Sequence, residues 1–141
     1  MKTLTWWMRA VGVFYLVSFV AATFLRVPIK AEGPEGVLAL ADAGDPVARF
    51  LVDTWVTLGI ELFVLGTALL IASRVPAQAK ALVWTILSME LFRGIGIDIY
   101  KMTRGYALTG LIVWIIIHSV IIISGLYALN KASEEPPKTH N

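Results

Sequence analysis

The sequence predicts an all-α fold: a four-transmembrane-helix antiparallel bundle with a short interfacial helix in its first loop. Three observations predict it: an apolar excess, four apolar runs of membrane-crossing length, and a connection too short to join anything but antiparallel neighbours. Of 141 residues, 57% are hydrophobic and 16% charged, whereas soluble domains carry about a quarter charged residues. A soluble fold of this size has too much surface to hide that composition, and disordered chains have the opposite one. The chain has no cysteine, which removes disulfides, thiol catalysis and thiolate metal sites. A net charge of +2 gives no ground for a nucleic-acid partner. In a chain that meets the lipid bilayer, basic residues act first as topology signals.

About 20 apolar residues cross the hydrocarbon core, and the runs 6–25, 50–72, 81–100 and 107–128 satisfy that length. The first opens on Trp6 and Trp7, at the level of an aromatic belt, and closes at Arg26, Val27 and Pro28. Arg9 lies inside it and the apolar stretch outlasts a signal-peptide core, so a retained helix is expected rather than a cleaved leader. Asp45 and Pro46 suit the N-cap and first turn of the second span. The third and fourth are separated by a few residues around Lys101 to Gly105, so they must lie antiparallel and adjacent. Basic residues divide six (Lys2, Arg9, Arg74, Lys80, Lys131, Lys138) against five (Arg26, Lys30, Arg49, Lys101, Arg104). That count favours both termini in the cytoplasm of a bacterial inner membrane. The long first loop then faces outward. In it Pro34 can start a short helix with an apolar face of Val37, Leu38, Leu40 and Ala41, and Gly44 can end it. Residues 1–132 form a single membrane domain in this reading, and 133–141, with two prolines, a disordered tail.

Ionisable residues inside a span cost about 2.5 to 3.5 kcal/mol each at mid-depth. The midpoints of the four predicted spans fall near Tyr15, Glu61, Glu90 and His118, so every helix offers a polar group at one depth. Arg93 follows Glu90 at i+3, a spacing that lets the two pair on an α-helix. Asp53 precedes Glu61 by eight residues and Asp98 follows Glu90 by eight. On antiparallel helices both aspartates fall toward the outer face, about 12 Å from the midplane layer at the α-helical rise. The candidate ligand-binding residues are Glu61, Glu90, Arg93, His118 and Tyr15; Asp53, Thr57, Asp98, Lys101 and Arg104 line the approach. Two glutamates and one arginine leave a surplus negative charge, so a proton is expected on one glutamate or shared with His118. Arg93 stays charged. The bland alternative is that such a network only fixes helix register, since polar contacts between membrane helices average about 0.6 kcal/mol.

The chain has no phosphate-cradling glycine loop, no HExxH and no Glu-x-x-His, so neither a metal site nor a cofactor is expected. The stretches TWWMRAVGVFYL, PVARFLVDTW and MELFRGIGIDIYKMTRGY, in that order, resemble the BphX-like family of small bacterial membrane proteins. The resemblance rests on Trp6, Trp7, Arg9, Arg49, Asp53, Trp55, Glu90, Arg93, Gly94, Asp98, Arg104 and Gly105. More loosely, the chain is similar to DoxX-like four-helix proteins, some of which accompany quinone-linked oxidoreductases. Neither resemblance implies a catalytic residue set. The function expected from the residues is binding, and moving or presenting, a small lipophilic or amphipathic molecule. Arg93 would meet its carboxylate, phenolate or carbonyl, and the glutamates would exchange protons. Two rivals stand beside it: a membrane acid–base enzyme of isomerase type using Glu61, Glu90 or His118, and a structural subunit of a membrane complex. Four short helices make little wall, so transport would call for a homodimer.

Overall fold

The computed structural model describes residues 1–32 and 36–134. Seven α-helices and one π-helical segment follow one another, with no strand among the described residues: α1 Lys2–Thr23, α2 Val27–Glu32, α3 Val37–Asp42, α4 Pro46–Ala72, α5 Lys80–Met89, the π segment Glu90–Gly96, α6 Ile97–Thr103 and α7 Leu108–Glu134. Helices α1, α4 and α7 are long and apolar enough to cross a membrane. Their outer faces are apolar as well: Val13, Val17 and Val20 on α1, and Val113, Ile116, Val120, Ile123 and Tyr127 on α7, are all exposed at helical spacing. Apolar stripes of that length are foreign to the surface of a soluble monomer.

The chain forms two compact units, Ala10–Leu70 and Met1–Arg9 with Ile71–Asn141. In the first, α1 and α4 run antiparallel and touch through small residues. A Cβ built on Gly66 would lie 2.8 Å from the carbonyl oxygen of Gly12, and one on Gly12 would lie 3.0 Å from that of Gly66. Backbones approach this closely where side chains are absent, the commonest packing device of membrane helices. Phe19 packs on Phe63 further along, with ring centroids 5.1 Å apart.

The same unit holds the loop helices. Arg26, at φ 53°, turns the chain out of α1 into α2, a helix missing from the sequence reading. Pro28 was expected to end the first span; it stands instead in the first turn of α2, where its fixed φ suits a helix and its missing N–H is not needed. The expected first-loop helix is α3. Its predicted start, Pro34, lies outside the described residues, and Gly44, at φ 98°, follows its end. Val37 and Ala41 bury against Ala48 and Val52 of α4 together with Ile29, while Leu40 remains exposed. Arg49 donates from Nε to the Ala41 carbonyl at 3.1 Å, which fastens α3 to α4. Asp45 caps α4 as expected, its Oδ1 accepting from the Ala48 N–H at 2.8 Å.

In the second unit α5, the π segment and α6 form one unbroken rod that packs along α7. The rod and α7 run antiparallel, as their short connection predicts: Leu87 meets Gly125 near one end and Gly94 meets His118 further along. Gly105, at φ 82°, lets the chain reverse between them. Trp7 joins this unit from α1, donating from Nε1 to Ser124 Oγ at 3.1 Å and to the Ile121 carbonyl at 3.3 Å. Helix α7 outlasts the predicted fourth span. Ser133 and Glu134, assigned to a disordered tail by the sequence, are its last residues, and the remainder of that tail, 135–141, lies outside the described residues.

Candidate functional site

The rod changes its period where it carries its charges. Through α5 the buried residues are Val83, Ile86 and Leu87, at α-helical spacing; from Glu90 onward they are Glu90, Gly94 and Asp98, each four apart. A π turn, closed by i→i+5 bonds, takes more residues than the 3.6 of an α turn. Residues four apart therefore come into line, and residues three apart swing off it. This explains the position of Arg93, which the sequence places on the Glu90 face: it is exposed, on a different side of the rod. The same geometry turns Asp98 inward, whereas an unbroken α-helix would leave it to one side.

His118 of α7 faces that line. Its Nδ1 is hydrogen-bonded to Glu90 Oε2, and its Nε2 lies 3.8 Å from Asp98 Oδ2. Glu90 and Asp98 are each 6% exposed. The imidazole thus brings together two acids that the sequence reading assigns to separate layers. Gly94 makes the room, because a Cβ there would come within 2.6 Å of the His118 ring. Trp114, one turn before His118, stacks on the ring with centroids 5.9 Å apart and planes inclined by 29°. The imidazole is hydrogen-bonded at Nδ1, while its Nε2 stands in ion-pair range of Asp98 Oδ2 but beyond hydrogen-bond reach of it. Its two carboxylates address opposite ends of one ring rather than a common point. Among the described residues, no group of three or more His, Asp or Glu side chains is arranged to hold a metal ion.

The other candidates are distributed as follows. Tyr15 is buried in α1, 3% exposed, in the unit Ala10–Leu70. Asp53, Thr57 and Glu61 lie in that same unit on α4, and all three are exposed. The Thr57 hydroxyl donates to the Asp53 carbonyl at 2.9 Å, which occupies it within its own helix. Lys101 and Arg104 close the rod at and after the end of α6, half-buried and exposed respectively. Sequence reasoning missed the role of Trp114; it read Gly94 as permitting close helix packing or making room for a ligand, and in the structure the His118 ring takes that room. An α-helix already sets residues 90, 94 and 98 within about 80 degrees of one another, so the sequence carried no signal for the π turn.

These features define an all-α protein with helices of membrane-crossing length and a trio of two buried carboxylates and a half-buried imidazole. The chain belongs to the BphX-like family, whose model matches residues 1–134. It is similar to an uncharacterized BphX-like protein of Burkholderia cepacia and to another of Paraburkholderia xenovorans strain LB400, each 25% identical over 143 residues that cover 99% of both chains. No solved structure matches it.

Proposed function

We propose that this protein crosses a bacterial cytoplasmic membrane four times, with both termini in the cytoplasm, and binds a small lipophilic or amphipathic molecule beside the Glu90–His118–Asp98 trio, to present it or move it. The rod Lys80–Thr103 is the additional span: its segments of ten, seven and seven residues together exceed the roughly 20 a crossing needs. The observation that carries the reading is the trio itself. A register-fixing contact needs one pair; here two acids from one helix and a histidine from another are gathered by a π segment, a distortion frequent at functional sites. The His118 side chain is 20% exposed, so a bound molecule can reach it.

The test is mass spectrometry of molecules retained by the full chain extracted with its native lipid, comparing wild type with Glu90→Gln and Arg93→Ala. A molecule held by wild type and lost from Glu90→Gln is expected. Identical contents in all three would return the trio to a structural role. Acid–base catalysis is the second reading, favoured by the placement of one imidazole between two carboxylates. It requires that Glu90→Gln keep the molecule bound while its conversion stops.

A further inference from the structure

One end of the second unit collects basic residues from four separate places in the chain. Lys2 and Arg9 belong to the start of α1, Arg74 to the turn after α4, Lys80 to the start of α5 and Lys131 to the end of α7. All of them lie within Met1–Arg9 and Ile71–Asn141. The contact of Leu87 with Gly125 sets the level of two. Lys80 stands seven residues before Leu87 and Lys131 six after Gly125, so on antiparallel helices both lie about 10 Å beyond that contact in one direction. Arg9 meets Ser73, the neighbour of Arg74, its Nε donating to the Ser73 Oγ at 3.4 Å. Among the described residues none of these cations is ion-paired. Glu134, an acid at the same end of α7, is exposed and accepts from the Asn130 amide at 3.3 Å.

Arg9 is the cation with a fixed geometry. Helical side chains lean toward the N-terminus, and its guanidinium carbon lies 5.8 Å from the ring of Trp6, one turn earlier. The Ser73 that takes Nε is 3% exposed, so the anchor is itself packed. Nε supplies one of the five N–H groups of a guanidinium. The Arg9 side chain is exposed and makes no other polar contact. The fork of its Nη nitrogens, which binds phosphate through paired, charge-assisted hydrogen bonds, is therefore open. Lys131 lies 5.8 Å from the ring of Tyr127, and Trp6 and Tyr127 are both exposed, as aromatic residues at the headgroup level of a bilayer are. The three helices of membrane-crossing length, α1, α4 and α7, each have one terminus in this unit's basic end.

We propose that this end of the protein binds the headgroup of an anionic phospholipid, its phosphate on the Arg9 fork beside Trp6 and Ser73, with Arg74, Lys80 and Lys131 drawing the negative lipid to it. Charge identifies the occupant, since cations that no carboxylate of the chain neutralises complement a negative membrane surface. The apolar faces identify it as a lipid rather than a soluble anion: the exposed Val13 and Val17 of α1 and Ile123 and Tyr127 of α7 lie next along the helices from Arg9 and Lys131 and give acyl chains a surface. This rests on the reading of α1, α4 and α7 as membrane spans and not on the Glu90–His118–Asp98 trio.

The experiment compares spin-labelled phosphatidylglycerol with spin-labelled phosphatidylcholine around the full chain in phosphatidylcholine vesicles, electron paramagnetic resonance giving the fraction of each that the protein immobilises. Wild type should favour phosphatidylglycerol at least about fivefold, the effect of a single basic residue near a charged surface. Arg9→Gln should bring the ratio close to one, and Arg9→Lys, which keeps the charge and loses the fork, should fall between. The double variant Lys80→Gln, Lys131→Gln should lower the ratio with Arg9 in place, so the charge contribution is read even where Arg9→Gln fails to fold. Lys30→Gln, which removes an exposed charge from α2 in the other unit, should leave the ratio unchanged. Inorganic phosphate at constant ionic strength should not displace the lipid; displacement would make a soluble anion the occupant and overturn the proposal. A ratio near one for wild type, equal losses from Lys30→Gln and Arg9→Gln, or full selectivity in Arg9→Lys would also overturn it. The two readings fail separately: a native molecule lost from Glu90→Gln with no preference for phosphatidylglycerol sinks only the headgroup site, and that preference with no native molecule retained sinks only the trio.

Discussion

Within Ala10–Leu70, α1 and α4 meet where neither has a side chain, the carbonyls of Gly12 and Gly66 lying against the facing backbone, and the acids of α4, Asp53 and Glu61, are exposed. Within the other unit, the rod and α7 meet over Glu90, His118 and Asp98, with Gly94 and Gly125 serving as recesses for the His118 ring and for Leu87 and Trp7. The first pair is held by close approach and dispersion, which in lipid is the ordinary basis of helix association. The second places ionisable groups where they cost most and recovers the cost by pairing them. Glycine therefore has two uses in one chain: it brings backbones together in one unit and seats side chains in the other. A helix pair that needed only to adhere would resemble the first, so the second is where a function is to be sought.

That contrast can be broken most severely at His118. Replacing it by leucine leaves Glu90 and Asp98, both buried, without the imidazole between them. Removing one partner of a buried charged group typically costs about 3 to 5 kcal/mol. The expected result is a large fall in the unfolding midpoint of His118→Leu in micelles, accompanied by loss of the near-ultraviolet circular dichroism of the stacked Trp114. A fall of less than about 1 kcal/mol would show that the trio is solvated and that the two units are held alike.

Gly66→Ala is the corresponding break in the other unit, and a smaller one. Its methyl would stand 2.8 Å from a backbone oxygen of Gly12, which no rotamer change can relieve, so the helices must separate. Overpacking of this kind costs about 1 to 3 kcal/mol. Gly110→Ala in α7, where an added methyl meets nothing within 4 Å, is the control and should be neutral or slightly stabilising. If Gly66→Ala matched the control in the same micelle unfolding assay, close approach would not be what joins α1 to α4.

What the sequence made legible divides along the same line. Features that depend on local chemistry were readable: the cap at Asp45 before Pro46, the short connection around Lys101 to Gly105, the antiparallel rod and α7, and the short helix before Gly44. The family was also readable from motif order. Features that depend on a departure from α geometry were not. An α-helical period puts Arg93 on the Glu90 face and Asp98 beside it, and the π segment exchanges their places. Helix α2 escaped because Pro28 is as compatible with starting a helix as with ending one. The layer drawn through Tyr15, Glu61, Glu90 and His118 counted depth alone. Burial separates its members, since Glu61 is exposed and Glu90 is not.

The smallest expected effect tests whether burial, rather than residue type, sets the difference between the units. Asp53 and Asp98 are both aspartates eight residues from a glutamate within an apolar helix, and depth counting from sequence treats them as equivalents. Asp53 is exposed and lies seven residues from the start of α4, about 10 Å along its axis. A 27-residue helix is about 40 Å long, roughly 10 Å more than the hydrocarbon core, so with that excess at its N-terminal end a carboxylate at that position reaches the interfacial region. Asp53→Asn should therefore leave the unfolding midpoint in micelles and in nanodiscs unchanged within error. Asp98→Asn removes a carboxylate facing His118 at 3.8 Å and should lower it in both. Equal losses from the two variants would mean that Asp53 also has a buried partner in the membrane, and a loss confined to nanodiscs would identify that partner as another copy of the chain or a lipid. Equal indifference would mean that Glu90 alone holds His118, reducing the trio to a pair and leaving the π turn before Asp98 without a polar purpose.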